Sequence, residues 1–383
     1  MKLIRFALPL ILLGGLVFVV TRGGSLRWLA RGAPPVEELS FDRVTLRPGQ
    51  ITATVVNGGP GPVTVAQVMV DEAFWGHTMR PGRTIPRLGR ATIDIPYEWV
   101  LGEPVIITLV TSTGLTFNHE VPVAIATPEL GLRYLGIFGL IGLYVGVIPV
   151  AIGLLWYPFL RNLSKQWTHF ALALTGGLLI FLAVDSLHEA LENAARVAGS
   201  LQGVPLVLLG VVGTLLSLEA VAGSRRRATE GADARRTVAF LVALGIGLHN
   251  LGEGLAIGAA YAVGEAALGA FLVVGFMLHN VTEGLGIVAP VARDRPSLQT
   301  LAALGAVAGL PTILGAWLGG VAFSPLLATL SFSIGAGAIL QVVGVLYRVV
   351  RREADGPLWQ PLNAFGVVGG LLIMYGTGLL VAV

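Results

Sequence analysis

Two short segments of the sequence combine polar side chains that could bind a metal ion within otherwise apolar surroundings. The segments LHNLGEGLAIGA and LHNVTEGLGIVA begin thirty residues apart and contain His249, Asn250, Glu253, His279, Asn280 and Glu283. Imidazole nitrogen and carboxylate oxygen together suit divalent cations such as Zn²⁺, Fe²⁺ or Mn²⁺. The chain has no cysteine, which excludes a thiolate site and argues against Cu⁺. The first chemistry to consider is therefore the binding of a divalent metal.

In each segment the histidine and the glutamate are four residues apart, so that they lie on one face of a helix. The two helices are joined by a short connection around residues 263–266 and are predicted to be antiparallel neighbours. Counted from that connection, the two imidazoles and two carboxylates fall within a slab of about 9 Å. An unpaired carboxylate at the membrane midplane costs about 3 kcal/mol or more, so a cation or a proton must neutralise it. The alternative is that these side chains only hydrogen-bond the two helices together.

The composition identifies the kind of protein that must hold these segments. Of the 383 residues, 54% are hydrophobic and only 12% are charged, with a mean hydropathy of +0.79. This balance indicates an integral membrane protein in contact with lipid, and the 52 glycines suit closely packed membrane helices. The net charge is only +3, and the arginines lie in short loops without interleaved aromatic residues, so nucleic acid is excluded as a partner.

The pattern along the chain predicts four segments. Residues 1–21 read as a signal-anchor, with a cleaved signal peptide as the alternative, and residues 22–40 as a linker. Residues 41–127 contain roughly seven β-branched runs separated by turns, which predicts a small all-β sandwich. Residues 130–383 predict an all-α polytopic bundle of eight spans, from apolar runs at 134–160, 169–190, 203–222, 237–262, 266–290, 298–322, 326–347 and 362–383. The retained anchor would make nine spans.

The distribution of basic residues predicts the orientation of these spans. The connections after odd-numbered spans hold Arg161, Lys165, Arg225, Arg226, Arg227, Arg235, Arg236, Arg293, Arg295, Arg348, Arg351 and Arg352. The opposite side holds only Arg133 and Arg196. Because basic loops stay in the cytoplasm, the sequence predicts a multi-pass protein of the cell (inner) membrane with its β domain and C-terminus extracytoplasmic.

The two segments resemble the paired metal-binding helices of the ZIP (ZRT/IRT-like) divalent metal transporters. HNLGEGLAIGAAY and HNVTEGLGI carry the resemblance, which covers about residues 130–383. GGLLIFLAVDSLHEALENA and SFSIGAGAILQVV are similar to the second and seventh helices of that family. The resemblance implies an eight-helix bundle, a transporter rather than an enzyme, and no organic cofactor. It also implies that Zn²⁺, or else Fe²⁺ or Mn²⁺, binds the two His/Glu pairs with help from Asn250.

Three departures from the family pattern modify this expectation. Asn280 stands where the family usually has an acid, although it remains a candidate metal residue, and the sixth span has no acidic residue. Both changes remove negative charge from a two-metal centre, so we expect a single-metal site. The arginine-rich loop before the fourth span also lacks the histidines that many members carry.

Further residues could contribute to a pathway or to a second site. Asp185 and Glu189, at the outer end of the second span, could form an entrance that attracts cations or simply a solvated helix end. Gln341 in the seventh span could line the pathway or pack between helices. His77 and His119 in the β segment could capture metal, although scattered histidines are usually ordinary surface residues.

The resemblance thus implies a transporter that moves a divalent metal toward the cytoplasm, through a midplane site that would be exposed to each side in turn. Protonation of the two histidines should weaken binding and make uptake depend on pH. An intramembrane zinc-dependent hydrolase and a non-transporting metal sensor of the same fold remain as alternatives. The oligomeric state, including a homodimer, is left open.

Overall fold

The computed structural model describes residues 11–15, 18, 36–129, 131–226, 232–262, 266–353 and 360–381. The chain divides into two compact units, Met1–Glu37 and Glu38–Val383. Residues 11–15 and 18 are helical, whereas most of the predicted anchor and of the linker lies outside the described residues. The unit Glu38–Val383 contains both the β domain and the long helices.

The β domain contains nine strands within residues 36–129. They are β1 (Leu39–Arg47), β2 (Gln50–Asn57), β3 (Val63–Val70), β4 (Ala73–Phe74), β5 (Thr78–Arg80), β6 (Thr84–Ile85), β7 (Arg90–Ile95), β8 (Val105–Thr111) and β9 (Thr116–Val121). One sheet has the order β1-β2-β7-β5, and the other has β4-β3-β8-β9 with β6 on β3. All the pairs are antiparallel.

Alternating side chains from both sheets form one apolar core. On β2 and β7, Ile51 lies opposite Ile95 and Ala53 opposite Ile93, and all four are fully or almost fully buried. Buried residues of β3 and β8 belong to the same cluster, as expected when two sheets pack face to face. The predicted β domain is therefore confirmed, with β4, β5 and β6 too short to be recognised from a sequence pattern.

The remainder of the chain is helical. The α-helices are Leu132–Gly142, Ile148–Leu154, Tyr157–Leu160, Lys165–Ala195, Gly203–Arg226, Ala232–Ala262, Ala266–Val288, Leu298–Ala322, Pro325–Glu353 and Pro361–Val381. A π-helical turn, Leu143–Val147, joins the first two. Short 3-10 helices lie at Gly199–Leu201 and Ala289–Asp294.

Among the described residues, eight helical segments are long and apolar enough to cross a membrane, which confirms the predicted number after the β domain. In chain order, the first to eighth spans are Leu132–Leu160, Lys165–Ala195, Gly199–Gly223, Asp233–Ala262, Leu272–Asp294, Leu298–Ala322, Pro325–Arg351 and Pro361–Leu379. A spanning helix satisfies its backbone hydrogen bonds internally, which is why uninterrupted apolar runs adopt this structure in lipid.

Glycine brings the fourth and sixth spans, and the first and fifth spans, into backbone contact. A Cβ atom on Gly254 would lie 2.1 Å from the carbonyl oxygen of Thr312 in the sixth span. A Cβ on Gly284 of the fifth span would lie 2.3 Å from the oxygen of Val150 in the first. Any larger residue would force these helices apart, so the glycines fix how closely the helices around the polar segments approach.

The other four spans pack in the same way. A Cβ on Gly370 of the eighth span would lie 2.2 Å from the oxygen of Leu174 in the second span. A Cβ on Gly337 of the seventh span would lie 2.3 Å from the carbonyl oxygen of Val211 in the third span. The second span also packs extensively on the seventh. The helical part therefore consists of one group formed by the first, fourth, fifth and sixth spans and another formed by the second, third, seventh and eighth.

The β domain contacts the connection between the second and third spans. The backbone N–H of Gly199 donates to Oε1 of Glu38 at 2.6 Å. On β9, His119 stacks on Phe41 with ring centroids 5.0 Å apart. Burial, and to a lesser degree the positive charge of Arg196 after the second span, lower the pKa of His119 below its usual 6.5. The β domain is thus in contact with this face of the helical bundle.

Candidate metal centre

The structure brings all six polar residues of the two segments together inside the bundle. Three lie on the fourth span and three on the fifth, and none is more than 7% exposed: His249, Asn250, Glu253, His279, Asn280 and Glu283. Helical spacing alone placed each His/Glu pair on one face. That the two faces meet depends on how the helices pack.

Glu253 is the residue that connects the two helices. Its Oε1 atom lies 3.1 Å from Nε2 of His249 on its own helix and 2.5 Å from Nε2 of His279 on the fifth span. Its Oε2 atom accepts a hydrogen bond from Nδ2 of Asn280 at 3.1 Å. Each imidazole therefore directs its own Nε2 atom at the same carboxylate oxygen, as two ligands of a shared cation would.

A serine from the second span contacts the opposite nitrogen of His249. The hydroxyl oxygen of Ser186 lies 2.7 Å from Nδ1, and the residue is 1% exposed. A histidine that ligates a metal through one nitrogen almost always donates the N–H of the other nitrogen to a fixed acceptor. Ser186 can accept that N–H, which leaves the lone pair of Nε2 available to a cation.

Several oxygen atoms of the cluster are buried without a hydrogen-bond donor among the described residues. Glu283 accepts from Nδ2 of Asn250 through Oε2 at 3.1 Å, but its Oε1 has no such partner. The amide oxygens of Asn250 and Asn280 also lack a donor. A buried acceptor without a donor costs about 1–3 kcal/mol, and more when it is charged. Three such oxygens next to two imidazoles form a donor set that fits a cation.

The ligand atoms are close enough to share one ion. His249, His279 and Glu283 each offer an atom within 4.8 Å of the others. Three ligands that are each about 2.1 Å from one zinc ion lie about 3.6 Å apart or less, so these atoms would have to approach one another by up to about 1 Å when the ion binds. Among the described residues, this is the one group of three or more such side chains within that range.

Asn280 has a positioning role that its amide group explains. Its Nδ2 donates both to the carbonyl oxygen of Val145 in the first span at 3.0 Å and to Glu253. Asn250 similarly donates to the oxygen of Ala308 in the sixth span at 3.2 Å. An acid at position 280 could not donate these bonds, so the asparagine orients Glu253 in place of adding charge.

The candidates for the pathway, Asp185, Glu189 and Gln341, lie in different places. Asp185 is exposed and Glu189 half-buried one turn further along the second span, and Asp185 directly precedes Ser186, which touches the cluster. Gln341 is not part of the six-residue cluster. The amide nitrogen Nε2 of Gln341 donates to Oε2 of Glu219 in the third span at 3.3 Å, and Arg348 donates to the same oxygen at 2.7 Å.

Sequence reasoning missed Ser186 and Glu219. Nothing in the local pattern distinguishes Ser186 from other small residues of membrane helices, because its importance comes from a contact 63 positions away. Glu219 could have been found as an acid near the end of an otherwise apolar run. In the β domain, His77 and His119 belong to no group of three or more metal-ligating side chains among the described residues.

Comparison with known proteins gives a match over part of the helical region. Residues 219–378 match the family model described as ZIP Zinc transporter. The match runs from the end of the third span to the eighth and includes both polar segments. A comparison with curated protein sequences finds no significant match.

Proposed function

We propose that this chain, which carries a ZIP zinc transporter domain over residues 219–378, moves a divalent metal across the membrane through the cluster on its fourth and fifth spans. The family supports a divalent metal transporter. Zn²⁺ is the expected substrate, with Fe²⁺ and Mn²⁺ as further candidates. The observation that carries the proposal is the convergence of two imidazoles, two carboxylates and three buried oxygens without donors on one place between the two spans.

The charge and chemistry of the cluster support this choice of substrate. Glu253 and Glu283 together balance the two positive charges of the ion, so that a loaded site need not carry a net charge inside the bundle. Nitrogen and oxygen ligands without sulfur suit Zn²⁺ and the borderline first-row ions. With Asn280 in place of an acid and no acid in the sixth span, the proposed site holds a single metal.

The packing of the spans suggests how the site is exposed. Within each group of four spans, glycine brings helix backbones to distances at which a Cβ would lie about 2.1–2.3 Å from a neighbouring oxygen. Between the groups the backbones approach less closely, since a Cβ on Gly335 of the seventh span would lie 3.1 Å from the Cα of His249 in the fourth. A Cβ on Gly252 of the fourth span would meet the Phe332 ring of the seventh at 3.1 Å. Looser contacts rearrange more readily than closely interlocked backbones, so we place the moving boundary between the groups.

The metal cluster faces that boundary. His249 belongs to one group, and Ser186, which contacts its ring, belongs to the other. Sliding of one group against the other would therefore change the surroundings of the site and could open it to either side in turn. The proposed direction is from the side of Asp185 and Glu189 toward the arginine-rich connections, which we assign to the cytoplasm. The β domain would then lie outside.

Uptake into proteoliposomes tests the function. The purified chain is reconstituted around a metal-sensitive dye, and Zn²⁺, Fe²⁺ or Mn²⁺ is added outside. We expect dye response to fall more than about 100-fold in Glu253→Gln and His279→Ala, since loss of even a supporting bond typically costs about 10–100-fold in metal affinity. Glu120→Gln, an exposed residue of the β domain, is the control variant.

Each other outcome favours a different function. Tight metal binding without accumulation of metal in the vesicles would support the non-transporting sensor. Zinc-dependent cleavage of a peptide or lipid, abolished by the same two variants, would support the hydrolase. Uptake that persists in both site variants would contradict the proposed pathway.

A further inference from the structure

A cavity of about 470 Å³ opens where the first span ends and the second begins. Its two sides are aromatic, with Trp156 and Phe159 on one side and Trp167 and Phe170 on the other, and Leu285 of the fifth span contributes to its lining. Ligand sites commonly have volumes of roughly 300–1,000 Å³, so the cavity is large enough to hold part of a small amphiphile.

The aromatic residues form two ordered walls. The rings of Trp156 and Phe159 meet edge to face with centroids 5.9 Å apart, and those of Trp167 and Phe170 do so at 5.4 Å. Trp156 and Trp167 are each about half exposed. Tryptophan is typical of membrane interfaces, but an ordinary aromatic belt points outward and does not enclose a concave apolar space. These walls therefore indicate a site that an apolar chain can enter.

The rim of the cavity is basic. Arg161 follows Leu160, a lining residue, and Lys165 stands two residues before Trp167. The guanidinium of Arg293 donates to the carbonyl oxygen of Leu163, a lining residue, at 3.3 Å. The sequence contains no acidic residue between Glu129 and Asp185.

The acid that directly follows Arg293 in the sequence is already paired with another arginine. Asp294, which follows Arg293, accepts hydrogen bonds from Arg235 through both of its carboxylate oxygens. The rim thus carries positive charge beside an apolar groove, where the first span ends and the second begins.

We propose that this cavity is a binding site for an anionic phospholipid. One acyl chain occupies the aromatic groove, and the phosphate lies against Arg161 and Arg293. Basic pockets between membrane helices on the cytoplasmic side are suited to anionic headgroups. The combination of a basic rim and an apolar groove fits a lipid better than a soluble anion or an apolar peptide.

The cavity also touches spans of both helical groups, because Leu285 belongs to the fifth span and Trp167 to the second. A bound lipid would therefore contact both groups of spans and could affect how they move relative to each other. This consequence rests on the proposed function, whereas the binding of the lipid does not.

Lipid binding is tested without metal or transport. The full-length chain in mild detergent is titrated with dioleoyl phosphatidylglycerol or dioleoyl phosphatidylcholine, and bound lipid is counted by native mass spectrometry. Each basic residue near a headgroup contributes about fivefold to anionic binding, so Arg161→Gln/Arg293→Gln should lose roughly 25-fold in affinity for the anionic lipid only. Arg351→Gln, an exposed arginine at the end of the seventh span, should lose none.

A second variant tests the groove itself. Leu174→Trp fills space among the lining residues and should reduce binding of phosphatidylglycerol while leaving the basic rim unchanged. Equal binding of the two lipids by the parent chain, or unchanged selectivity in the double variant, would overturn the proposal. So would undiminished binding in Leu174→Trp. If lipid binds as expected but no metal is transported, the proposed function fails and this inference stands.

Discussion

Replacing Ser186 with alanine would isolate what the second span contributes to the metal centre. The serine hydroxyl lies 2.7 Å from Nδ1 of His249, and it is the only hydrogen bond that the described structure gives that nitrogen. When the N–H of Nδ1 donates to this oxygen, the lone pair of Nε2 faces the other ligands. Ser186→Ala removes the acceptor and with it the preference for this tautomer.

Two independent magnitudes give the size of the effect. Removing the outer hydrogen bond of a metal-ligating histidine typically costs about 10–100-fold in metal affinity, which corresponds to about 1.4–2.7 kcal/mol. Leaving a buried donor without an acceptor costs about 1–3 kcal/mol. Because the two agree, we expect the dissociation constant for Zn²⁺ to rise about 10–100-fold, and the Michaelis constant for uptake to rise by a similar factor.

The assay is a competition titration of the detergent-solubilised chain against a chromophoric zinc chelator. Thr175→Ala is the matched control, because Thr175 is also a buried hydroxyl of the second span, but it donates to the carbonyl oxygen of Ala171 within its own helix at 2.9 Å. We expect this control to change zinc affinity less than about threefold, since such internal bonds contribute little. Melting temperatures of both variants report any loss of folding separately.

Two results would refute the reasoning. If the zinc dissociation constant of Ser186→Ala is within a factor of about three of that of the parent chain, the hydroxyl does not determine the tautomer of His249. If Thr175→Ala weakens binding as much as Ser186→Ala, the effect belongs to the packing of the second span and not to the contact with the ring.

Three further predictions concern stability. Gly254→Ala places a Cβ 2.1 Å from a backbone oxygen, and overpacking of this kind costs about 1–3 kcal/mol. The melting temperature and the metal uptake of this variant should both fall. In the control Gly176→Ala the new Cβ meets open space, so both quantities should change little. Arg235→Gln removes the ion-pair partner of Asp294, whose side chain is only 7% exposed. The melting temperature should therefore fall by several degrees. An unchanged melting temperature would mean that this ion pair does not stabilise the fold. Because burial lowers the pKa of His119, the unfolded chain binds a proton more readily than the folded chain, so the contribution of His119 to stability is complete above about pH 6.5 and is lost as the pH falls below it. The melting temperature of His119→Phe should therefore fall less between pH 7.5 and 5.5 than that of the parent chain. An equal fall in both chains would exclude this cause.

Much of the fold followed from the sequence because lipid restricts the choices of the backbone. Each apolar run long enough to cross the membrane had to become a helix, since no water is present there to satisfy its peptide groups. The prediction of eight spans after a β domain is confirmed among the described residues. The alternating residues of β2 and β7 likewise predicted strands, because one face must be buried and the other solvated.

The ZIP resemblance is confirmed over residues 219–378, and the candidate metal residues are found together, yet their role as ligands stays a prediction. Periodicity could place His249 beside Glu253, because both lie on one helix and the spacing of a helix is fixed. It could also suggest that His279 lies at a similar depth, because the connection between the spans is short. The prediction that Gln341 lines the pathway remains untested, and its amide contacts Glu219.

The sequence by itself determined which residues are helical, which of them share a face and roughly how deep each lies, because these properties depend on neighbours within a few positions. The tertiary structure alone decided that Glu253 contacts both imidazoles, that Asn280 orients its second oxygen, and that Ser186 supports His249. These contacts depend on the rotation of each helix about its axis and on which spans are neighbours. Both are set by glycine packing between segments far apart in the chain, and no local pattern encodes them.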